Sequence, residues 1–208
     1  MPRYDTGGEM TKPERKFQLV EATQRAISEH GVSVKLHQIA QEAGMTPSAV
    51  LYHYPDVNDL LLAANRAGME RFYSERVQSI ELLSSPAEKL VWVIRSGLPM
   101  DRHDEGVRLL CALGGEAARN DMFAVLLTSL FDRQVGLYQS ILEAGELSRD
   151  FELQSDANTI ARNLVALEDA YGYRIMAGHP TLNYEEACEL ILDYARSMTK
   201  NSLRNVKG

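Results

Sequence analysis

The chain has 208 residues, 45% of them hydrophobic and 25% charged, with 14 Gly and 7 Pro. That composition suits one folded domain, or a small domain fused to a larger one, and excludes bulk disorder and low-complexity or collagen-like sequence. The formal net charge of −7 opposes polyanion binding through overall charge, so any nucleic-acid surface has to be local.

Residues 1–12 read as a polar arm without the apolar segment of a signal peptide. Pro13 suits a first helical turn. From Glu14 to His30, Phe17, Val20, Thr23 and Ile27, flanked by Leu19 and Ala26, share one helical face, and Gly31 ends the helix. A short helix follows over 35–43, ended by Gly44. A third starts at Thr46-Pro47 and stops at Pro55. A long fourth begins near Asp56 to Asp59 and runs to about Leu83, where Ser84-Ser85-Pro86 breaks it. Further helices are expected over 86–97, 104–119, 122–147, 156–177 and 184–202. Their punctuation is Leu98-Pro99, Asn120-Asp121, Gly145 with Ser148 to Phe151, and Gly178-His179-Pro180. No segment alternates as a half-buried strand would. The fold class is therefore all-α: an N-terminal three-helix module over 13–56, then a larger helical body over 57–208.

The longest stretch free of Asp, Glu, Lys and Arg runs from Ala43 to Pro55. It contains Gly44 and Pro47 and falls short of the ~20 apolar residues of a bilayer span, so a cytoplasmic protein without a membrane partner is expected. Cys111 and Cys188 are isolated in apolar helical patterns, which fits buried, unreactive thiols in a reducing compartment.

Residues 33–61 are the most informative. Ala40 lies four residues before Gly44, and Val50 six after it. A small residue at 40 lets two helices cross closely, Gly44 supplies a left-handed turn, and Val50 with Ile39 returns an apolar face onto the first helix. Thr46 suits the N-cap of the second helix, and Pro47 its first position. This is the pattern of a DNA-reading helix-turn-helix; the alternative is two helices of a bundle that happen to meet at a glycine turn.

Over residues 13–61 the chain is similar to the N-terminal module of the TetR family of bacterial transcriptional regulators. The likeness lies in Ile39-Ala40, in Ala43-Gly44-Met45-Thr46 and in Val50-Leu51-Tyr52-His53-Tyr54, followed by Asp56 and Leu60-Leu61. The resemblance implies a homodimer whose recognition helices enter successive major grooves of a palindromic double-stranded operator. It also implies a small organic effector in the body that releases the DNA. Four positions depart from the family pattern: Lys35, Ser48, Leu51 (with Tyr52 next to it) and Val57. Where the family has a lysine that contacts phosphate, this chain has Val57, and Lys35 is the residue available to replace it.

Residues 1–60 hold six basic residues (Arg3, Lys12, Arg15, Lys16, Arg25, Lys35) against eight acidic ones. The recognition helix carries no Arg or Lys, so the common bidentate guanine contact is absent from it. Base reading falls to Thr46, Ser48, Tyr52 and His53, with Pro47 and Ala49 offered to thymine methyls. Ser33, Lys35, His37 and Tyr54 are candidates for phosphate positioning, although Tyr54 also stands where the family has a core aromatic. Arg3, Lys12, Arg15 and Lys16 cluster near the arm. Few cationic contacts predict a shallow salt dependence.

The body shows no glycine-rich phosphate loop, Gly-x-Ser-x-Gly or His-Glu-x-x-His motif, so no catalytic residue, metal or cofactor is assigned. Asp101, His103, Asp104 and Glu105 precede a helix, whose dipole they complement. Two stripes read as an association surface. One is Tyr184, Ala187, Cys188, Ile191, Tyr194, Ala195 and Met198. The other is Asn163, Leu164, Leu167, Ala170, Tyr171, Arg174 and Ile175. In the family the last two helices pair with their mates, while the alternative is that both stripes face the chain's own core. For an effector pocket the candidates are Tyr73, Trp92, Arg95, Leu109, Cys111 and Met122, then Phe123, Leu127, Phe131, Tyr138, Glu168 and Tyr171. Glu168 lies in an otherwise apolar run. It either points inward, beside Trp92 or Tyr171, and favours a cationic ligand, or forms a partly exposed ion pair with Arg162 or Arg174. Two rival readings stay open: an all-α enzyme or carrier with an incidental helix-turn-helix, and a protein-binding adaptor.

Overall fold

The structure is a computed structural model that describes residues 11–31 and 33–203. The arm expected over 1–12 therefore lies mostly outside the described residues, as does Arg3. The described residues form nine α-helices and one 3₁₀ turn, with no strand: α1 (Lys12–His30), α2 (Leu36–Glu42), α3 (Pro47–His53), α4 (Val57–Glu81), α5 (Pro86–Ser96), α6 (Glu105–Gly114), the 3₁₀ turn Gly115–Ala118, α7 (Asp121–Ser148), α8 (Ala157–Met176) and α9 (Tyr184–Thr199). The chain divides into two compact units, one up to Ala67 and one from Gly68.

In the first unit, Thr11 and Glu14 form a reciprocal capping box at the start of α1. Two donors that a helix start leaves open are thus satisfied. Leu19, Ala22, Ile27, Ile39, Ala40, Val50, Leu60 and Ala64 make the core, each 1% exposed or less. Phe17 was expected on the buried face of α1, yet it is 65% exposed; the other residues of that face, Leu19, Val20, Thr23, Ala26 and Ile27, are buried as expected. The turn between α2 and α3 is closed by Gly44 at φ 64. There the Met45 amide donates to the Ala40 carbonyl (2.8 Å), a helix-ending pattern that a left-handed residue makes available. Thr46 Oγ1 then accepts from the Ala49 amide (3.2 Å) and opens α3, with Pro47 at its first position. The unit extends past residue 56 into α4 because Leu60 and Ala64 are buried and Gln24 Nε2 donates to the Ala64 carbonyl (2.8 Å).

In the second unit, α7 and α8 lie along each other, and α5 and α9 complete a core around Leu90, Ile94, Tyr138, Leu142, Ile160, Leu164, Cys188 and Ile191. Gly145 lies inside α7, three residues before its end at Ser148. The ring of Phe151 lies where a Cβ on Gly145 would project, because the chain reverses at Arg149 (φ 64) and folds back. The returning segment is tied to the end of α9 by Glu152 N to Thr199 O and Gln154 N to Met198 O, both 2.9 Å.

The turn at Gly44 gives a direct test. Gly44→Val places a β-branched residue at positive φ, at a cost of about 1–2 kcal/mol. Amide protection at Ile39, Ala40 and Val50 should fall about tenfold by hydrogen exchange, while amides in α7 and α8 keep theirs.

Candidate DNA-reading face and ligand cavity

All nine residues assigned to DNA from the sequence reach solvent. Ser33, Lys35, His37, Thr46, Pro47, Ser48 and Tyr52 are exposed, whereas Ala49 and His53 are half-buried. The side that α3 turns inward is held by Val50, fully buried. Tyr52 is 73% exposed, and its ring meets His53 edge-on at 5.1 Å between centroids. His53 Nδ1 is buried without a partner. Tyr54 is half-buried, and burial raises its hydroxyl above the ordinary tyrosine value. Charge reaches this face from α1, since Lys12 Nζ stands 5.7 Å from the Tyr52 ring and Lys16 Nζ 5.0 Å from the Tyr54 ring. The two cations thus lie beside the end of α3, a helix without Arg or Lys. Arg15 instead donates to Gln18 (3.0 Å).

The second unit contains a cavity of about 80 Å³. Its apolar wall includes Met69, Phe72, Val107, Leu110 and Leu130; Gln134, Glu168, Asp169 and Tyr173 are the larger polar groups in its lining. Cys111, Leu127 and Glu168, all expected from the sequence, are brought together here. Tyr138 stands behind them, fully buried, and donates its hydroxyl to Glu168 Oε1 in a very short hydrogen bond.

The other expected residues lie outside the cavity lining. Phe123 and Leu109 are buried elsewhere, and Met122 is exposed. Tyr73 and Phe131 lie under guanidinium groups, of Arg133 at 3.9 Å and of Arg162 at 5.7 Å. Tyr171 packs half-buried against the core. Trp92 is 47% exposed on α5, and Arg95 points to Glu189 at 3.9 Å. These aromatics were expected inside from type alone; their helical phase turns them to other neighbours.

Glu168 has a different partner from either expected one. Arg76 of α4, 2% exposed, donates from Nη2 to Glu168 Oε1 (2.8 Å) and to the Val93 carbonyl (2.8 Å), and from Nη1 to Gln134 Oε1 (3.1 Å). Arg162 and Arg174 are exposed instead, Arg174 bonding back to the Ala170 carbonyl. Gly97 makes room: a Cβ there would collide with the Glu168 carboxylate. Burial pushes the Glu168 carboxyl up to about 6, against the lowering pull of Arg76 and Tyr138. Burial, with Asp169 and Asp104 nearby, pushes the Cys111 thiol up to about 11, so it stays protonated and unreactive. The sequence offered a faint signal for Arg76, a basic residue four positions after Phe72 on one helical face; its partner, 92 residues away, left none.

The expected association stripes are largely spent inside the chain. Leu164, Ala187, Cys188, Ile191 and Ala195 are fully buried in this unit's own core. They present nothing to a partner, because α8 and α9 pack them against α5 and α7. Leu167, Tyr171, Tyr194 and Met198 are half-buried and keep an outer surface, beside exposed Ala166, Ala170 and Leu190. Among the described residues no group of three or more His, Cys, Asp or Glu side chains is placed to hold a metal ion. Asp101 accepts instead from the His103 amide, and Asp104 caps α6.

Residues 19–64 match the sequence model described as bacterial regulatory proteins, tetR family. The chain is 26% identical over 188 residues to the HTH-type transcriptional regulator BetI of Rhizobium meliloti (strain 1021), covering 89% of this chain and 90% of that one. It is 25% identical to the HTH-type transcriptional regulator PksA of Bacillus subtilis (strain 168), covering 93% and 94%. A transcriptional regulator from Saccharomonospora viridis in complex with choline superposes with a TM-score of 0.81 at 22% identity, over 88% of this chain and 96% of that one. The regulator FadR from Bacillus subtilis in complex with stearoyl-CoA shares the fold at a TM-score of 0.69 and 16% identity, over 86% and 96%.

The buried pair predicts a stability pattern. Arg76→Met strands the Glu168 carboxylate and should cost about 3–5 kcal/mol in urea unfolding, while adding Glu168→Leu recovers most of it. Glu168 also holds its proton more tightly folded than unfolded. Its protonation therefore stabilises the fold below its ordinary value of 4.5, and this contribution is lost as pH rises through about 6. Glu168→Gln should flatten the dependence of unfolding free energy on pH across that window.

Proposed function

The chain belongs to the TetR family of transcriptional regulators, and from that membership we propose that it is a ligand-responsive repressor, not an enzyme. In this reading it binds a palindromic operator as a homodimer in the cytoplasm, and a small organic effector in the cavity of the second unit releases it. Residues 13–56 act as the DNA-binding domain and 57–208 as the effector and dimerisation domain, preceded by an arm over 1–12. The observation that carries the reading is the α2–α3 turn: Gly44 at positive φ, the Thr46 cap and Val50 inward present the polar residues of α3 outward. That geometry lies inside the stretch matched to the family.

Thr46, Ser48, Tyr52 and His53 read base edges, with Pro47 and Ala49 against thymine methyls. Ser33, Lys35 and His37 position phosphates, and Lys12 and Lys16 supply charge that α3 lacks. α4 provides a covalent route for the effector signal. The same helix carries Leu60 in the core of the first unit and Met69 and Phe72 in the cavity wall. An effector that favours one arrangement of α4 shifts the DNA-binding population by its differential affinity. Choline and stearoyl-CoA in the two neighbours support a ligand-holding role for the body of this fold. Dimerisation falls to the outer surfaces of α8 and α9 around Ala166, Leu167, Ala170, Tyr171, Leu190 and Tyr194. No helix among the described residues is long and apolar enough to cross a membrane.

Selection of bound duplexes from a random pool at two salt concentrations tests the reading. An enriched palindrome with a shallow salt slope is expected, and Ser48→Ala or Tyr52→Ala should each weaken binding to it by about tenfold. Failure to enrich any sequence at low salt would sink the DNA-reading assignment. Separately, Ala170→Arg on the outer face of α8 should convert a dimer to a monomer in sedimentation and lower operator affinity with it. An unchanged dimer would move the interface elsewhere.

A further inference from the structure

Within the reading of the cavity as the effector site, we infer that its ligand is a small organic cation, an amine or quaternary ammonium of a few heavy atoms. The charged groups of the lining are both acidic, Glu168 and Asp169, and the lining itself contains no Lys, Arg or His. Arg76 is absent from the lining and engages Glu168 through Oε1 alone. Tyr138 takes the same oxygen, which leaves Glu168 Oε2 buried at the cavity wall with no partner. A buried carboxylate oxygen without a donor is costly, and a cationic ligand relieves that cost while a carboxylate or phosphate ligand adds repulsion. Phe72 and Tyr173 contribute aromatic rings to the lining, the surroundings in which an ammonium group with alkyl substituents is well held. The size acts as a second filter, since about 80 Å³ admits a compact ligand and leaves no room for a long acyl chain.

The ionisation of the site follows the same logic. The charged and titratable groups around Glu168 are Arg76 from α4, Tyr138 from α7, Asp169 and Tyr173 on its own helix, and Cys111 from α6. Tyr138 and Cys111 are held neutral by burial. A cation favours the ionised carboxylate, so its affinity should rise as pH increases through about 6.

The test is calorimetric titration of the full chain with three probes of matched shape: choline, its uncharged isostere 3,3-dimethyl-1-butanol, and 3,3-dimethylbutyrate. Operator binding is measured alongside. Choline should bind at least about tenfold more tightly than either of the others, more tightly above pH 6 than below it, and should release the operator. Asp169→Asn, at a more open position than Glu168, should weaken choline about tenfold while keeping the wild-type helical signal. Leu127→Trp, which fills the cavity, should abolish binding. If the alcohol or the acid binds as well as choline and releases the operator, the cation assignment is overturned and the effector reading stands. If choline binds as expected and operator affinity is unchanged, the cation site stands and the effector reading falls. Failure of choline, tetramethylammonium and short alkylamines to bind overturns the inference, as does choline binding that survives Leu127→Trp.

Discussion

The ion pair between Arg76 and Glu168 constrains the second unit more than any other interaction. Two side chains 92 residues apart are both nearly excluded from water, at a desolvation cost that Coulomb attraction alone does not reliably repay. Additional hydrogen bonds offset that cost: the Val93 carbonyl, Gln134 and Tyr138 all converge on the pair. α4, α5, α7 and α8 are therefore fixed to one polar centre. Gly97 has to be small for the same reason, since a side chain there would displace the carboxylate. An apolar cluster of the same volume would be cheaper to bury. The carboxylate nevertheless stays at the edge of a cavity, with one oxygen unpartnered.

The first unit solves a different electrostatic problem. Its helix α3 carries no Arg or Lys, and residues 1–60 carry more acid than base. Attraction to phosphate therefore depends on where the few cations stand. α1 brings Lys12 and Lys16 to the rings of Tyr52 and Tyr54, so the charge lies at the edge of the reading helix. The groups that α3 turns outward are hydroxyl, imidazole and phenol groups. Phe17, exposed on α1 where the amphipathic pattern expects burial, is an apolar surface that the packing of this unit does not use.

The boundary between the two units falls within α4. α4 lends Leu60 and Ala64 to the first core and Arg76 to the polar centre of the second. Its sequence shows why no single amphipathic stripe describes it: its first turns and its later turns bury against different neighbours. Phe72 of the cavity wall thus lies on the helix that also carries Leu60 in the first core.

Local chemistry made much of this legible in the sequence. Pro13, Gly31, Gly44, Thr46-Pro47 and Ser85-Pro86 punctuate helices through backbone sterics and capping, which need no distant partner. The helix-turn-helix is short-range for the same reason: Ala40, Gly44 and Val50 lie within eleven consecutive residues and fix their own geometry. The apolar character of α8 and α9 was equally readable, but what those stripes face was not. Periodicity shows that Leu164, Ala187 and Ile191 share faces, and only packing against α5 and α7 spends those faces on the chain's own core. Glu168 stood out as a carboxylate in an apolar run; its partner did not, because an ion pair across 92 residues leaves no spacing to read. The cavity likewise exists only where α4, α6, α7 and α8 approach one another. Sequence by itself determined the helices, their ends and the reading module, all set by neighbouring residues. Tertiary structure alone decided the partner of Glu168, the lining of the cavity and the surfaces left for a second chain, because each depends on which distant helices exclude water together.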